Sequence, residues 1–329
     1  MNAIATTPRY RDEIRAQLPF LLDKTRLPVN HRSQGKVRDA YDLGDRILLI
    51  TTDRLTAFDR PLALIPCKGQ VLNLTSAWWF EQTANVVPNH VIAVPDPNVL
   101  VAKKCEVFPI EFVVRGYITG TTDTSLWTQY QKGIRQYCGV SFPEGLTKNQ
   151  PLKQPVLTPT TKETIHDRPI SPDEIIAEGW MTEAHWLKAS ELALKLYQRG
   201  VELAAKHGLI LVDTKYEFGV DEAGNVLVVD EIHTPDSSRY WLASSYQERL
   251  AAGLEPENID KEFLRLWFAS HCDPYHDKEL PQAPQELVEQ LSARYIQLYE
   301  MITGKPFTFP THQEPVEQRI LRHIAPYLP

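Results

Sequence analysis

Hydrophobic positions change their period along this chain. Ile14, Leu18, Leu21 and Leu22 recur at helical spacing and predict a helix in the segment up to about Leu27. From Gly35 to about Tyr117 the pattern turns strand-like. RILLITTD reads as a buried strand preceded by turn residues Asp42–Asp45, and HVIAVP, AKKCEV and IEFVVRGYI continue the series. Between them, NLTSAWWFEQTANVV reads as an amphipathic helix. Residues from about Thr122 to Pro169 are richer in Pro, Thr, Lys and Gly, and LTKNQPLKQPVLTPTTKETIHDRP reads as an extended loop, a class that often carries function. Helical signals return at Ser171–Glu174, a capping box with Pro172 in the first helical position, and Gly179 is a stop. Residues 182–207 form a long amphipathic helix closed by Lys206-His207-Gly208. LILVDTKYEFGV, a turn at Asp221–Asn225 and VLVVDEI then make a hairpin. KEFLRLWFASH and QELVEQLSARYIQLYEMITG make the remainder mostly helical.

The predicted class is α+β. At 329 residues the chain is long for one core, which predicts two lobes: a β-rich one over residues 1–117 and a mixed one over 118–329 with a helical C-terminal part. Charge narrows the partners. Thirty-five basic against 42 acidic residues leave a net −7, which argues against general nucleic-acid binding, so anionic ligands would need a local cluster of Lys and Arg. Cys67, Cys105, Cys138 and Cys272 are widely spaced with no CxxC pair, which fits a reducing compartment without a zinc or disulfide framework. The N-terminus lacks the apolar run of a secretory signal, and no stretch approaches a membrane span. The expectation is a cytoplasmic protein with small-molecule ligands, no nucleic acid and no membrane, as a monomer or small homo-oligomer.

Candidate chemistry concentrates where strands end in polar residues. In LILVDTKYEFGV the side chains alternate, so Asp213, Lys215 and Glu217 share one face and Val212, Thr214, Tyr216 and Phe218 the other. The returning strand brings Asp230 and Glu231, and a slip of one residue decides which of the two joins that face. A solvated cross-strand Lys–Glu pair contributes only tenths of a kcal/mol. Here acids follow on both strands and the polar run continues to Arg239. Close carboxylates repel unless a cation sits among them, and few hard oxygen ligands suggest Mg²⁺ sharing phosphate oxygens. A lysine beside them suits phosphate as a mobile point charge.

Three other stretches add polar groups. In SQGKVRDAYDLGDRILLITTD, Gly35 opens a strand followed by Lys36 and Arg38. Such a hairpin can lie over a polyphosphate, although GxxxxGK[ST] is absent and an ordinary surface hairpin has the same pattern. EFVVRGYITGTTDTSLW ends an apolar run with Arg115, followed by Gly116, Thr119, Gly120, Thr121 and Thr122, which is phosphate chemistry or a polar strand end. Trp127 reads as core. TPTTKETIHDRPIS places Lys162, His166 and Asp167 in a loop with little core to build.

Taken together, GKVRDAYD, TTDRLTAFD, PIEFVVRGYITG, the K-x-x-x-HD segment, LVDTKYEFG and VDEIHTPDSSRYW resemble the SAICAR synthetases, in family order over most of residues 33–241. The length and the DRLTAFD form resemble the longer branch of that family. The resemblance implies a two-lobed, ATP-grasp or kinase-like fold with antiparallel sheets and ATP between the lobes. It implies the ATP-dependent joining of L-aspartate to the carboxylate of CAIR, forming SAICAR, ADP and phosphate in purine biosynthesis, with ATP and Mg²⁺ as cofactors. By the same resemblance Gly35, Lys36, Val37 and Arg38 form the phosphate loop, Glu106 and Val107 the adenine hinge, and Lys215 touches ATP phosphate. Glu217 and Asp230 hold Mg²⁺, with Glu231 as helper. Arg115, Thr121, Ser237, Ser238 and Arg239 hold CAIR, and Lys162 and Asp167 line the same cleft. Asp53, Arg54 and Asp59 border the substrate side. The competing reading is a small-molecule kinase using the same ATP lobe and metal acids. A non-catalytic nucleotide-binding protein would be expected to lack Lys36, Lys215, Glu217 or Asp230.

Overall fold

A computed structural model of the chain describes residues 10–29, 32–58, 60–163, 167–259, 262–311 and 314–328. In chain order it begins with helix α1 (Arg11–Gln17) and a 3₁₀ turn at Leu18–Phe20. The helix is shorter than the spacing up to Leu27 predicts. Pro19 lacks the amide that would continue the helical ladder, the helix tightens into the 3₁₀ turn there, and the chain beyond Phe20 runs extended. Strands β1 (Arg32–Gln34), β2 (Arg38–Asp42) and β3 (Arg46–Thr51) follow, then a small hairpin of β4 (Arg54–Ala57) and β5 (Arg60–Leu64). Helix α2 (Lys68–Thr83) leads to β6 (Val91–Asp96) and β7 (Val99–Lys103), which complete an antiparallel sheet of order β1-β2-β3-β7-β6. Of the sixteen residues of α2 only Glu81 is exposed. It is therefore a helix buried on nearly every side rather than the amphipathic one expected.

The next stretch builds a second sheet. It contains β8 (Glu106–Val107), β9 (Ile110–Tyr117), helix α3 (Leu126–Gln131), the short pair β10 (Gln136–Tyr137) and β11 (Val140–Ser141), then β12 (Pro151–Leu157) and β13 (Thr160–Thr161). Residues 146–169, read from sequence as a loop, thus supply two strands pairing with β9. Pro151 and Pro155 obscured β12, yet β12 lies at the sheet edge, where a missing amide is tolerated. Helix α4 (Pro172–Ala177) has the expected reciprocal capping box between Ser171 and Glu174, and α5 (Glu183–Lys206) is capped by Thr182. Strand β14 (Leu209–Val220) pairs with β15 (Val226–Val229), β16 (Ser238–Leu242), β9 and β8, which makes it the axis of this sheet. Helix α6 (Ala243–Ala251) ends the stretch, and α7 (Glu262–His271), α8 (Gln285–Thr303) and α9 (Val316–Ile324) close the chain.

The chain forms two compact units whose division differs from the expected boundary at residue 117. One takes in Met1–Trp78, Val91–Lys104 and Ile259–Pro329, and the other Trp79–His90 and Cys105–Asn258. The C-terminal helices belong to the first unit because their apolar stripes are buried there, α9 against the sheet and α7 and α8 against α1 and α2. Ile320 and Ile324 cover Tyr41, Leu48 and Ile50, while Leu264, Phe268, Leu291 and Tyr295 pack with Ile14, Val71 and Leu72. Among the described residues no helix is long and apolar enough to cross a membrane.

In the second unit, α5 lies on the apolar face of β14. The register of β14 and β16 shifts between Leu211 and Asp213, and the carbonyls of Leu211 and Val212 there accept from the Tyr197 hydroxyl at 2.8 and 3.0 Å. Gly116 of β9 makes room for that hydroxyl, since a Cβ would come within 2.2 Å of it. Beyond β15 the chain buries His233, which contacts the Tyr216 hydroxyl and stands edge-on to Trp79 at 4.6 Å. Burial pushes its imidazole down to about 3 from 6.5, so the folded chain declines a proton that the unfolded chain accepts. Stability is then lost as pH falls from 6.5 toward 3, at up to about 1.4 kcal/mol per pH unit. Denaturant titrations between pH 7 and 4 should show that His233→Asn weakens this dependence, and an unaltered slope would contradict the assignment.

Candidate functional site

The alternation in β14 does what its sequence predicts. Asp213, Lys215 and Glu217 face one way, opposite Arg115 and Val113 of β9, whose register carries on to Glu111. Tyr216 and Phe218 face the other way and are fully buried. The Lys215 ammonium lies 2.7 Å from Glu217, 3.3 Å from Glu111 and 3.9 Å from Asp230. Lys162 reaches the other oxygen of Glu217 at 2.5 Å. Three carboxylates therefore surround two ammonium groups. Burial pushes the Lys215 pKa down, but Glu217, Glu111 and Asp230 outweigh it and hold it well above the ordinary value. Burial likewise raises the Glu217 carboxyl, and Lys215 and Lys162 more than reverse that, leaving it depressed.

The same geometry answers which acid after β15 joins the face. Asp230 takes a left-handed backbone at φ 64°, which Asp tolerates better than most residues, and its carboxylate comes to Lys215. Glu231 is buried, and the ammonium of Lys215 is approached by Asp230 instead. Glu111 was not singled out from sequence, because a lone acid within IEFVVRG looks like a strand-edge charge until its register against β14 is known.

Two residues back along β14, about 7 Å at strand rise, lies a second group. Asp213 pairs in register with Arg115 on one side and Arg239 on the other. Its carboxylate is 3.7 Å from the Arg115 guanidinium and also receives a hydrogen bond from Arg239. Arg115 is buried and donates to Thr158 at 2.7 Å. Burial and the neighbouring Arg239 lower its pKa, and Asp213 opposes them. Two guanidinium groups share one carboxylate, so this end of the face carries positive charge while the Lys215 end carries negative charge. Gly120, at φ 102°, lets the next loop approach closely. A Cβ there would meet Ser125 at 2.4 Å and stand 3.6 Å from the Arg239 guanidinium. Thr121 beside it is exposed.

The remaining sequence-predicted residues take other positions. Ser237 accepts from the Thr234 amide at 3.1 Å, and Ser238 donates to Thr214 at 2.8 Å, so both serines are already engaged within the protein, 3.5 Å apart. Asp167 is exposed and accepts from the Glu163 amide at 3.1 Å, while His166 lies outside the described residues. Glu106 and Val107 form the short β8, exposed and paired with Val220 and Gly219 at the far end of β14.

In the first unit, Gly35 does not open a strand as expected. It begins the tight connection between β1 and β2, closed by its amide on the Arg38 carbonyl at 2.8 Å. Lys36 is exposed, and Val37 is partly buried against the helical core. Asp53 and Arg54, expected to border the substrate side, are buried with their polar atoms bonded internally. Asp53 accepts from the Leu22 and Gly69 amides at 2.8 and 3.0 Å, and burial pushes its carboxyl up to about 6 against the pull of those amides. Asp59 lies outside the described residues.

Known proteins of one family are similar to this chain. The family described as SAICAR synthetase matches residues 31–282. A phosphoribosylaminoimidazole-succinocarboxamide synthase of Legionella pneumophila is 67% identical over 94% of this chain and 100% of its own length. A chloroplastic enzyme of that name from Arabidopsis thaliana is 62% identical over 89% of this chain and 72% of its own. Among solved structures, the SAICAR synthase of Saccharomyces cerevisiae complexed with SAICAR is similar at a TM-score of 0.75 and 32% identity, over 87% of this chain and 99% of that one. A SAICAR synthetase in complex with ADP is similar at a TM-score of 0.65 and 25% identity, over 85% and 100%. The chain belongs to the SAICAR synthetase family.

Proposed function

We propose that this chain ligates L-aspartate to the carboxylate of CAIR at the expense of ATP, forming SAICAR, ADP and phosphate, through an acyl phosphate. A carboxylate is a poor electrophile, because an oxide would have to leave. Attack of that carboxylate on the γ-phosphorus of ATP releases ADP and gives an acyl phosphate. The aspartate amine, having lost a proton, then attacks the acyl carbon, and phosphate departs. Such transfers depend on positioning and charge neutralisation rather than on a covalent protein nucleophile. The observation that carries the reading is the charged face of β14, with a phosphate-competent lysine among acids at one end and paired arginines at the other.

Roles follow from that face. Lys215 and Lys162 neutralise phosphate charge. Arg115 and Arg239, with Ser237, Ser238 and Thr121 nearby, suit the phosphate and carboxylate of CAIR. Glu217 and Asp230 are hard oxygen donors of the number Mg²⁺ takes alongside phosphate and water. They fit that ion chemically, although lysines engage Glu217 here and, among the described residues, no group of three or more His, Cys, Asp or Glu side chains is arranged to hold a metal. When bound, Mg²⁺ would screen the triphosphate. In the first unit, the Gly35–Arg38 turn is the phosphate loop. The exposed backbone of Glu106–Val107 suits an adenine edge, and Asp167 or water would take the amine proton.

A coupled ADP-release assay should show turnover only with ATP, CAIR and aspartate together, with one inorganic phosphate per ADP. Release of ADP with phosphate retained on a product would instead indicate a kinase. Asp230→Asn should lower kcat by about 100-fold or more with the thermal midpoint preserved, and wild-type kcat at saturating Mg²⁺ would remove Asp230 from the metal role. Arg239→Ala should raise the KM for CAIR by about 10- to 100-fold and that for ATP much less. Equal increases would count against a substrate role for this guanidinium.

A further inference from the structure

Arg54 contributes a buried guanidinium to the first unit that substrate contact does not explain. Its side chain is 7% exposed and pairs with the fully buried Asp39 at 2.8 Å. The same guanidinium donates to the carbonyls of Gly35 at 3.1 Å and Lys36 at 3.3 Å, and also to that of Asp23. Thr52 holds the next carbonyl, that of Val37, by its amide at 3.0 Å and its hydroxyl at 2.6 Å. Asp39 is itself fixed by the Thr25 amide and hydroxyl and by Arg32. Burial pushes the Asp39 carboxyl up, but these bonds and Arg54 outweigh it and hold it below its ordinary value.

The geometry of the peptide unit turns this clamp into a statement about function. In a trans peptide the N–H points opposite the C=O, and the described chain has no cis bonds. Holding the carbonyls of Gly35 and Lys36 on the guanidinium therefore turns the amides of Lys36 and Val37 away from it. Successive amides directed the same way are a recurring means of cradling phosphate oxygens. We propose that Arg54 is a positioning residue which presents the Lys36 and Val37 amides to the nucleotide phosphates without touching them. This inference rests on the reading of Gly35–Arg38 as the phosphate loop.

Arg54→Lys keeps a cation for Asp39 but replaces the planar fork that spans two carbonyls. It should raise the KM for ATP about tenfold, leave the KM values for CAIR and aspartate within about twofold, and keep the thermal midpoint within about 3 °C. An unchanged KM for ATP, or equal increases for all three substrates, overturns the proposal. Lys36→Ala separates the two levels of argument. If it leaves the KM for ATP unaltered and saturating ADP moves neither the Lys36 nor the Val37 backbone amide resonance of the wild-type chain, the phosphate-loop reading falls. If it raises that KM while Arg54→Lys does not, only the role of Arg54 falls. Should Arg54→Lys fail to fold, the wild-type chain supplies the test: saturating ADP should shift the backbone amide resonances of both Lys36 and Val37, and no movement of either overturns the inference.

Discussion

One strand sets the terms for the rest of this molecule. β14 runs through the middle of its sheet, with apolar side chains on one face and Asp213, Lys215 and Glu217 on the other. A two-residue period cannot bury one face under α5 without projecting the alternate residues together. Flanking strands complete the pattern in register: Arg115 and Glu111 from β9, Arg239 from β16, and Asp230 where β15 ends. The charged array is thus a by-product of ordinary sheet packing, and its spacing is as rigid as the sheet.

That array is compensated within the protein. Glu217 shares its two oxygens between Lys215 and Lys162, and Asp213 sits between two arginines. Removing one member of a buried ion pair costs about 3–5 kcal/mol, because it leaves a charge without a partner. Spreading each carboxylate over two cations softens that penalty when a ligand draws one cation away. On the proposed reading, incoming phosphate competes for lysines and arginines that are already held near their working positions, which lowers the ordering cost of binding. Tyr197, Gly116 and the bulge between Leu211 and Asp213 supply the fixed backbone behind this.

Legibility in the sequence followed the range of the interactions. The hairpin of β14 and β15, the capping box at Ser171 and the long α5 are written in local periodicity and turn chemistry, and they appear as predicted. Grouping Lys215 with Glu217 needed only alternation. Choosing Asp230 over Glu231 needed the hairpin register and the left-handed backbone at Asp230, and finding Glu111 needed a register between strands remote in sequence, which no local pattern encodes. β12 was hidden because its prolines are tolerated only at an edge, and edge status belongs to the finished sheet. Arg54 was read from its motif as bordering the substrate side, and its bonds to the carbonyls of a neighbouring turn were beyond any local pattern. The roles assigned through family resemblance drew on motif order along the chain rather than on any single stretch.

The split make-up of the first unit bears on how the protein is born. Its second counterpart is complete once residue 258 has been synthesised, but the first still awaits Ile259–Pro329. At ribosomal speeds of about 5–20 residues per second, those 71 residues arrive some 4–14 seconds later. Through that interval Tyr41, Leu48 and Ile50 lack the Ile320 and Ile324 that seal them. The nascent chain therefore carries an uncovered greasy sheet face in its oldest segment until its last helix has been made.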